Sequence, residues 1–219
     1  REVLVDVDVG MPRCGCDPAD AERLADEARA AGLLVRGVMG YEGHVQHEVD
    51  RQRRERRVAR AMEDLARAHA EVGGEVVSGG GTGSWDCNHV VTELQAGSFV
   101  LMDGDYARLD LPFQEGLVLL TTVVSVSARG HAVLDGGLKA LAMDSGGPAL
   151  VGGGDVQFCS DEHTTVVGGS WTVGDRAGLR PAHIDPTIAK HEVMHLVDDA
   201  AAGGDAEVLG SWSVDLRGW

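Results

Sequence analysis

Short apolar runs alternate with charged, helix-forming segments through the first half of the chain, and this alternation restricts the fold more than any other sequence feature. Strands that alternate with helices form βαβ units around a parallel sheet. The apolar runs predict strands over residues 3–9, 33–39, 75–77 and 98–102, and the segments between them predict helices over residues 17–31 and 46–72.

Each of these strands is followed by glycine together with polar or aromatic side chains. In a (β/α) barrel, the residues after the carboxyl ends of the strands form the rim of the active site. The chain has only about half of the eight strands that such a barrel needs. The sequence therefore predicts a partial (β/α) barrel over residues 1–110.

The second half of the chain is rich in glycine and contains no predicted helix from Gly116 onward. Its short apolar runs predict strands over residues 117–125, 131–135, 164–167 and 191–197. This pattern is typical of an antiparallel sheet. We predict an α/β plus β protein in which residues 111–219 form a C-terminal antiparallel β domain.

The net charge of −16 argues against nucleic acid and anionic membranes as partners, because both require basic residues. No apolar run approaches the roughly 20 residues that span a bilayer. The four cysteines match neither a zinc ribbon nor a dense disulfide framework. Free thiols indicate a cytoplasmic protein.

The run Ser78–Ser84 is the strongest local signal, since its glycines follow a strand and expose backbone N–H groups that can bind a phosphate. It lacks the Gly-Lys-Ser/Thr of a Walker loop, and a flexible turn is the alternative. Arg13 follows a strand end, where a surface salt bridge is its alternative role. Tyr41 and Tyr106 are the only tyrosines, and both follow predicted strands.

The segment from His183 to Asp185 predicts a metal site. In an extended backbone these two side chains point to the same face and can bind one divalent cation together. The alternative is a loop histidine paired with a loop carboxylate. His191, Glu192 and His195 match the zinc-protease pattern H-E-x-x-H, but the pattern requires a helix and this region is predicted to be a strand.

Taken in order, these stretches resemble one family, the D-threonine aldolases and D-serine dehydratases, which are alanine racemase-like pyridoxal-phosphate enzymes of fold type III. The resemblance covers nearly the whole chain. It is carried by residues 8–15, 40–44, 78–84, 93–98, 102–106, 134–140, 160–163, 173–176 and 181–187.

The resemblance implies a barrel that holds the cofactor, a C-terminal β domain and a homodimer. It implies that Arg13 faces the pyridine nitrogen of pyridoxal phosphate and that Tyr41 lines the ring pocket. The cofactor phosphate would bind the loop of Gly79, Gly80, Gly81, Thr82 and Gly83, with Tyr106 nearby. His183 and Asp185 would be the catalytic metal ligands.

Asp185 favours an aldolase within this family, since the dehydratases tend to have cysteine at the second ligand position and zinc. A carboxylate suits Mn²⁺ or a similarly hard ion, with Mg²⁺ or Zn²⁺ as alternatives. The expected reaction is the cleavage of a D-3-hydroxy amino acid to glycine and an aldehyde. A D-serine dehydratase-like ammonia-lyase, an inactive remnant and the zinc protease are the alternatives.

The Schiff-base lysine of the family lies in an early barrel strand. The only lysines, Lys139 and Lys190, do not match that position. We therefore expect the chain to be a fragment that lacks the N-terminal part of the barrel and is inactive alone.

Overall fold

The computed structural model describes residues 1–218, and of residues 201–203 the backbone only. The chain divides into two compact units, Arg1–Phe99 with Leu109–Leu111, and Val100–Arg108 with the chain from Pro112 onward. The predicted division into residues 1–110 and 111–219 stays a prediction. Trp219, the last residue of the second segment, lies outside the described residues.

The first unit is a parallel sheet with its helices, as the alternation predicts. The elements of this unit are β1 (Glu2–Asp6), α1 (Ala21–Ala30), β2 (Leu34–Gly40), α2 (Arg51–Val72), β3 (Val76–Gly79) and β4 (Glu93–Leu94). The sheet has the order β1-β2-β3-β4 and every pairing in it is parallel.

Helix α2 buries an apolar face in the core of this unit through Val58, Met62 and Leu65, all at most 1% exposed. The helix begins at Arg51 and not at residue 46, because the Asp50 side chain accepts a hydrogen bond from the N–H of Arg53 and so caps it. The predicted strand over residues 98–102 is wrong, since Ser98–Val100 is a 3₁₀ helix and β4 takes the fourth place in the sheet.

The strands of the second unit are β5 (Leu119–Val126), β6 (His131–Leu134), β7 (Ala149–Leu150), β8 (Asp155–Cys159), β9 (Thr164–Val167), β10 (Arg176–Arg180), β11 (Val193–Val197) and β12 (Val208–Ser213). They form mainly an antiparallel six-stranded sheet of order β7-β10-β5-β6-β9-β8, with a separate β11-β12 pair. A short helix, α3 (Ile184–Ile188), was not predicted. Within residues 1–218, no helix combines the length and the apolar character needed to cross a membrane.

Candidate active site

The carboxyl ends of β1, β2 and β3 meet at one edge of the parallel sheet, because the three strands are paired in parallel and in neighbouring order. The segments that follow them carry Arg13, Tyr41 and the glycine run from Gly79 to Gly83. The fold thus brings these predicted cofactor-binding residues to the same edge.

The Arg13 guanidinium lies over the Tyr41 ring, with its central carbon 5.5 Å from the ring centroid. A charged group in this position is attracted by the π face of the ring. Met11 and Gly43 bring the two segments together, since a Cβ on Gly43 would be only 2.5 Å from Met11 Sδ and 2.6 Å from the Tyr41 ring. Arg13 is exposed, so its N–H groups remain accessible to a ligand.

The loop after β3 is buried, and most of its amides are already bound. The N–H of Gly80 donates to Glu42 Oε2 (3.0 Å), that of Gly81 to Ser84 Oγ (3.0 Å) and that of Gly83 to Gln46 Oε1 (2.8 Å). The N–H of Thr82, by contrast, donates to no group in residues 1–218. The loop therefore offers a phosphate fewer free donors than its glycine content suggests.

The glycines of this loop are required by close packing. A Cβ on Gly83 would lie 2.0 Å from the backbone oxygen of Gln46, and one on Gly81 would lie 2.6 Å from Gln46 Oε1. Glu42 and Gln46 organise the loop, although sequence reasoning assigned them no role. Their partners lie 37 or more positions away in the chain, so no local pattern could have identified them.

Tyr106 belongs to the second unit, where it is buried in the short 3₁₀ helix Tyr106–Arg108. Its N–H donates to Asp103 Oδ1 (3.0 Å). Asp103 Oδ2 accepts from the N–H of Ile184 (3.0 Å), so this buried carboxylate also fixes the backbone beside His183.

His183 and Asp185 converge, with 3.4 Å between Nε2 and Oδ2. The expectation that both lie in an extended segment is wrong. His183 is extended at the N-cap of α3, and Asp185 lies in the first turn of that helix. The change from extended to helical backbone still leaves both side chains on the same side.

Asp144 is the residue of this site that sequence reasoning missed, and its Oδ2 lies 2.6 Å from Nδ1 of His183. Burial alone would lower the pKa of His183, but the hydrogen bond to Asp144, with the charges of Asp144, Asp185 and Asp103, outweighs burial and raises it. The hydrogen bond from His183 in turn lowers the pKa of Asp144.

The described residues contain no group of three or more histidine, cysteine or acidic side chains that could hold one metal ion. The site therefore offers at most two protein ligands. Donors that are each about 2.1 Å from an ion, at angles of 90–110°, lie roughly 3.0–3.4 Å apart. The His183–Asp185 distance fits this spacing, and the donor pair fits a divalent ion whose other positions are filled by water or substrate.

The H-E-x-x-H pattern is not a metal site, because its residues do not share a helix face. His195 lies in β11 and contacts Ser211, whereas Nε2 of His191 lies 2.8 Å from the carbonyl oxygen of Ala140. Glu192 forms a surface ion pair with Arg217. The zinc-protease alternative therefore has no structural support.

Two family models match the chain. Residues 1–103 match the alanine racemase N-terminal domain, and residues 116–197 match the putative serine dehydratase domain. Residues 104–115 and 198–219 lie outside both matches.

Curated relatives include a D-threonine aldolase of an Arthrobacter species, 37% identical over 100% of this chain and 61% of its own length. A 3-hydroxy-D-aspartate aldolase of Paracoccus denitrificans is 35% identical over 99% of this chain and 60% of its own length. The crystal structure of a D-threonine aldolase from Filomicrobium marinum matches 99% of this chain and 63% of its own, with a TM-score of 0.92 and 35% identity. The chain thus spans about three fifths of the length of these relatives.

Proposed function

We propose that the chain belongs to the D-threonine aldolase and D-serine dehydratase-like family of alanine racemase-like proteins. On this basis, the full-length protein would be a pyridoxal-phosphate- and metal-dependent lyase. Its substrates would be D-3-hydroxy amino acids, cleaved to glycine and an aldehyde. The observation that carries the proposal is the 3.4 Å approach of His183 Nε2 and Asp185 Oδ2.

The metal of the proposed enzyme is a hard divalent cation such as Mn²⁺, with Mg²⁺ or Zn²⁺ as alternatives. His183 would supply one nitrogen ligand and Asp185 one oxygen ligand, a mixed donor set that suits such ions. Asp103 and Thr187 hold the peptide group between His183 and Ile184, through the Ile184 N–H (3.0 Å) and the His183 carbonyl (2.7 Å). These contacts preorganise the two ligands before an ion binds.

The cofactor of the proposed enzyme would be held by Arg13, Tyr41, the loop from Gly79 to Gly83, and Tyr106. When bound, pyridoxal phosphate supplies an electron sink and the divalent ion a Lewis acid for the substrate hydroxyl. The guanidinium group of arginine is permanently charged, so an arginine at this position can donate a hydrogen bond to the ring nitrogen without transferring a proton. The N–H of Thr82 can donate to a phosphate oxygen.

An assay of the full-length protein with D-threonine tests the reaction. An aldolase produces acetaldehyde and glycine in equal amounts, whereas a dehydratase produces 2-oxobutanoate and ammonia. The match of residues 116–197 to a serine dehydratase model keeps the second reaction as the competing candidate. Formation of neither product type from D-threonine or from 3-hydroxy-D-aspartate, with cofactor and Mn²⁺ present, would leave the inactive remnant as the remaining interpretation.

A homodimer and a cytoplasmic location are part of the same proposal. The β11-β12 pair exposes Val193, Leu209 and Trp212, each at least 44% exposed, and such apolar surface is typical of an interface. All four cysteines are free thiols, as expected in a reducing compartment. Light scattering of the full-length protein measures the oligomeric state.

A further inference from the structure

His183 has a carboxylate near each of its ring nitrogens, and the two nitrogen–oxygen distances indicate different interactions. Nδ1 lies 2.6 Å from Asp144 Oδ2, and Nε2 lies 3.4 Å from Asp185 Oδ2. The shorter distance is that of a charge-assisted hydrogen bond. It is too short for two ligands of one ion, whereas the longer distance has the spacing of two such ligands.

We propose that Asp144 is a positioning residue for the metal site: it accepts a hydrogen bond from Nδ1–H of His183 and so directs Nε2 toward the ion shared with Asp185. The inference rests on the proposed function, because it assumes that His183 and Asp185 bind a divalent cation. Histidine ligands commonly donate their second N–H to a carboxylate, which fixes the tautomer and the orientation of the ring.

The segment that carries Asp144 is tied to the His183 segment by a buried hydroxyl. Thr187 Oγ1 donates to the carbonyl of His183 (2.7 Å) and accepts from the N–H of Ala142 (3.0 Å). Thr187 is only 3% exposed, so water competes little for these bonds. The position of Asp144 relative to the His183 ring is therefore set by these hydrogen bonds to the backbone as well as by the ion pair.

A second contact holds the same two segments together. Nε2 of His191, three residues after the end of α3, lies 2.8 Å from the carbonyl oxygen of Ala140. Leu141 and Ala142 between these contacts are buried. Asp144 itself is half exposed, with 54% of its side chain accessible, so its hydrogen bond to His183 is the main restraint on its carboxylate.

The direct test is a Mn²⁺ titration of the full-length protein, in which the electron paramagnetic resonance signal measures the concentration of the free ion. In Asp144→Ala the dissociation constant of Mn²⁺ should rise about 10–100-fold. Asp144→Asn keeps an acceptor oxygen and should raise it less. Asp155→Ala removes the same charge from the exposed start of β8 and should leave it within twofold of the parent protein.

His183→Ala separates the inference from the function on which it rests. If His183→Ala weakens Mn²⁺ binding and Asp144→Ala does not, the positioning role of Asp144 is overturned while the metal site stands. If His183→Ala leaves Mn²⁺ binding unchanged, the metal site and the role of Asp144 are both overturned.

Nitrogen NMR of histidine-labelled protein gives a measurement that does not depend on a folded Ala variant. In the metal-free parent protein, at a pH where the ring is neutral, His183 should carry its proton on Nδ1. A general structural role for Asp144 would not fix this tautomer. A proton on Nε2 in the parent protein would overturn the proposal.

Discussion

Glu42 is fully buried, and its carboxylate holds the glycine-rich loop in place. Oε2 accepts from the N–H of Gly80, and Oε1 accepts from Ser84 Oγ (2.7 Å) and Asn88 Nδ2 (3.2 Å). These donors satisfy the carboxylate without a salt bridge to a basic side chain, as a buried anion requires. The shape of the loop thus depends on a residue outside it.

Glu42→Gln should destabilise the protein by about 1–3 kcal/mol, because one carboxylate oxygen becomes an NH₂ group that faces buried donors. Urea unfolding measures the change. Glu63→Gln on the exposed side of α2 is the matched control and should shift the free energy of unfolding by less than about 0.5 kcal/mol. Equal unfolding midpoints for the two variants would show that Glu42 does not organise the loop.

The cysteines should differ in reactivity, because burial raises the pKa of Cys16 and of Cys87. A raised pKa lowers the thiolate fraction near neutral pH, and the thiolate is the reactive form. Iodoacetamide should therefore modify the exposed Cys14 first, and a rise in pH should speed the reaction of Cys16 and Cys87. Peptide mass spectrometry follows the modification of each cysteine. Equal rates at Cys14, Cys16 and Cys87 in the native protein would contradict the difference in burial.

At the scale of elements, the loop after β3 packs too closely on Gln46 to accept a side chain at Gly83. Gly83→Ala should lower the free energy of unfolding by about 1–3 kcal/mol, because the new Cβ meets a backbone oxygen that cannot move away alone. It should also weaken the binding of pyridoxal phosphate by the full-length protein, measured by equilibrium dialysis. Gly97→Ala is the control, since no atom lies within 4 Å of a Cβ there, and a Gly83→Ala variant as stable as this control would refute the packing argument.

The parallel sheet was predictable from the sequence because its strands are apolar and its helices carry caps and a regular buried face. The fourth strand was misplaced, since Phe99 and Val100 have the composition of a strand but lie in the 3₁₀ helix Ser98–Val100. The true strand, Glu93–Leu94, has only two residues and both are exposed. Such a strand is defined by its pairing with β3, which local composition does not encode.

In the candidate site, the proposed ligand pair His183 and Asp185 could be predicted because only Ile184 separates the two residues in sequence. Asp144 could not be predicted, since it meets His183 across 39 positions, and only the folded second unit brings them together. Glu42 was given no role for the same reason. The sequence pattern thus suggested residues for ligand contacts, and it gave no role to the residues that hold those segments in place.

At the scale of the whole molecule, the charge is strongly unbalanced, with 35 acidic against 19 basic residues. Many of the ion pairs join exposed side chains, which contribute little to stability. The net repulsion should therefore dominate the response to salt.

Added salt should raise the Tm of the protein, because screening weakens the repulsion among the excess carboxylates. Differential scanning calorimetry in increasing NaCl measures the effect. Choline chloride at the same ionic strength should give the same shift, which separates screening from binding of a cation at Asp185. A Tm that falls with both salts would mean that attractive pairs outweigh the net charge.

Anomalous diffraction from crystals of the full-length protein soaked in Mn²⁺ shows whether His183 and Asp185 bind one divalent ion. We expect a manganese peak about 2.1–2.2 Å from both His183 Nε2 and Asp185 Oδ2, with Asp144 still hydrogen-bonded to Nδ1. A peak on the Nδ1 side of the ring, or one bound by other residues only, would contradict it.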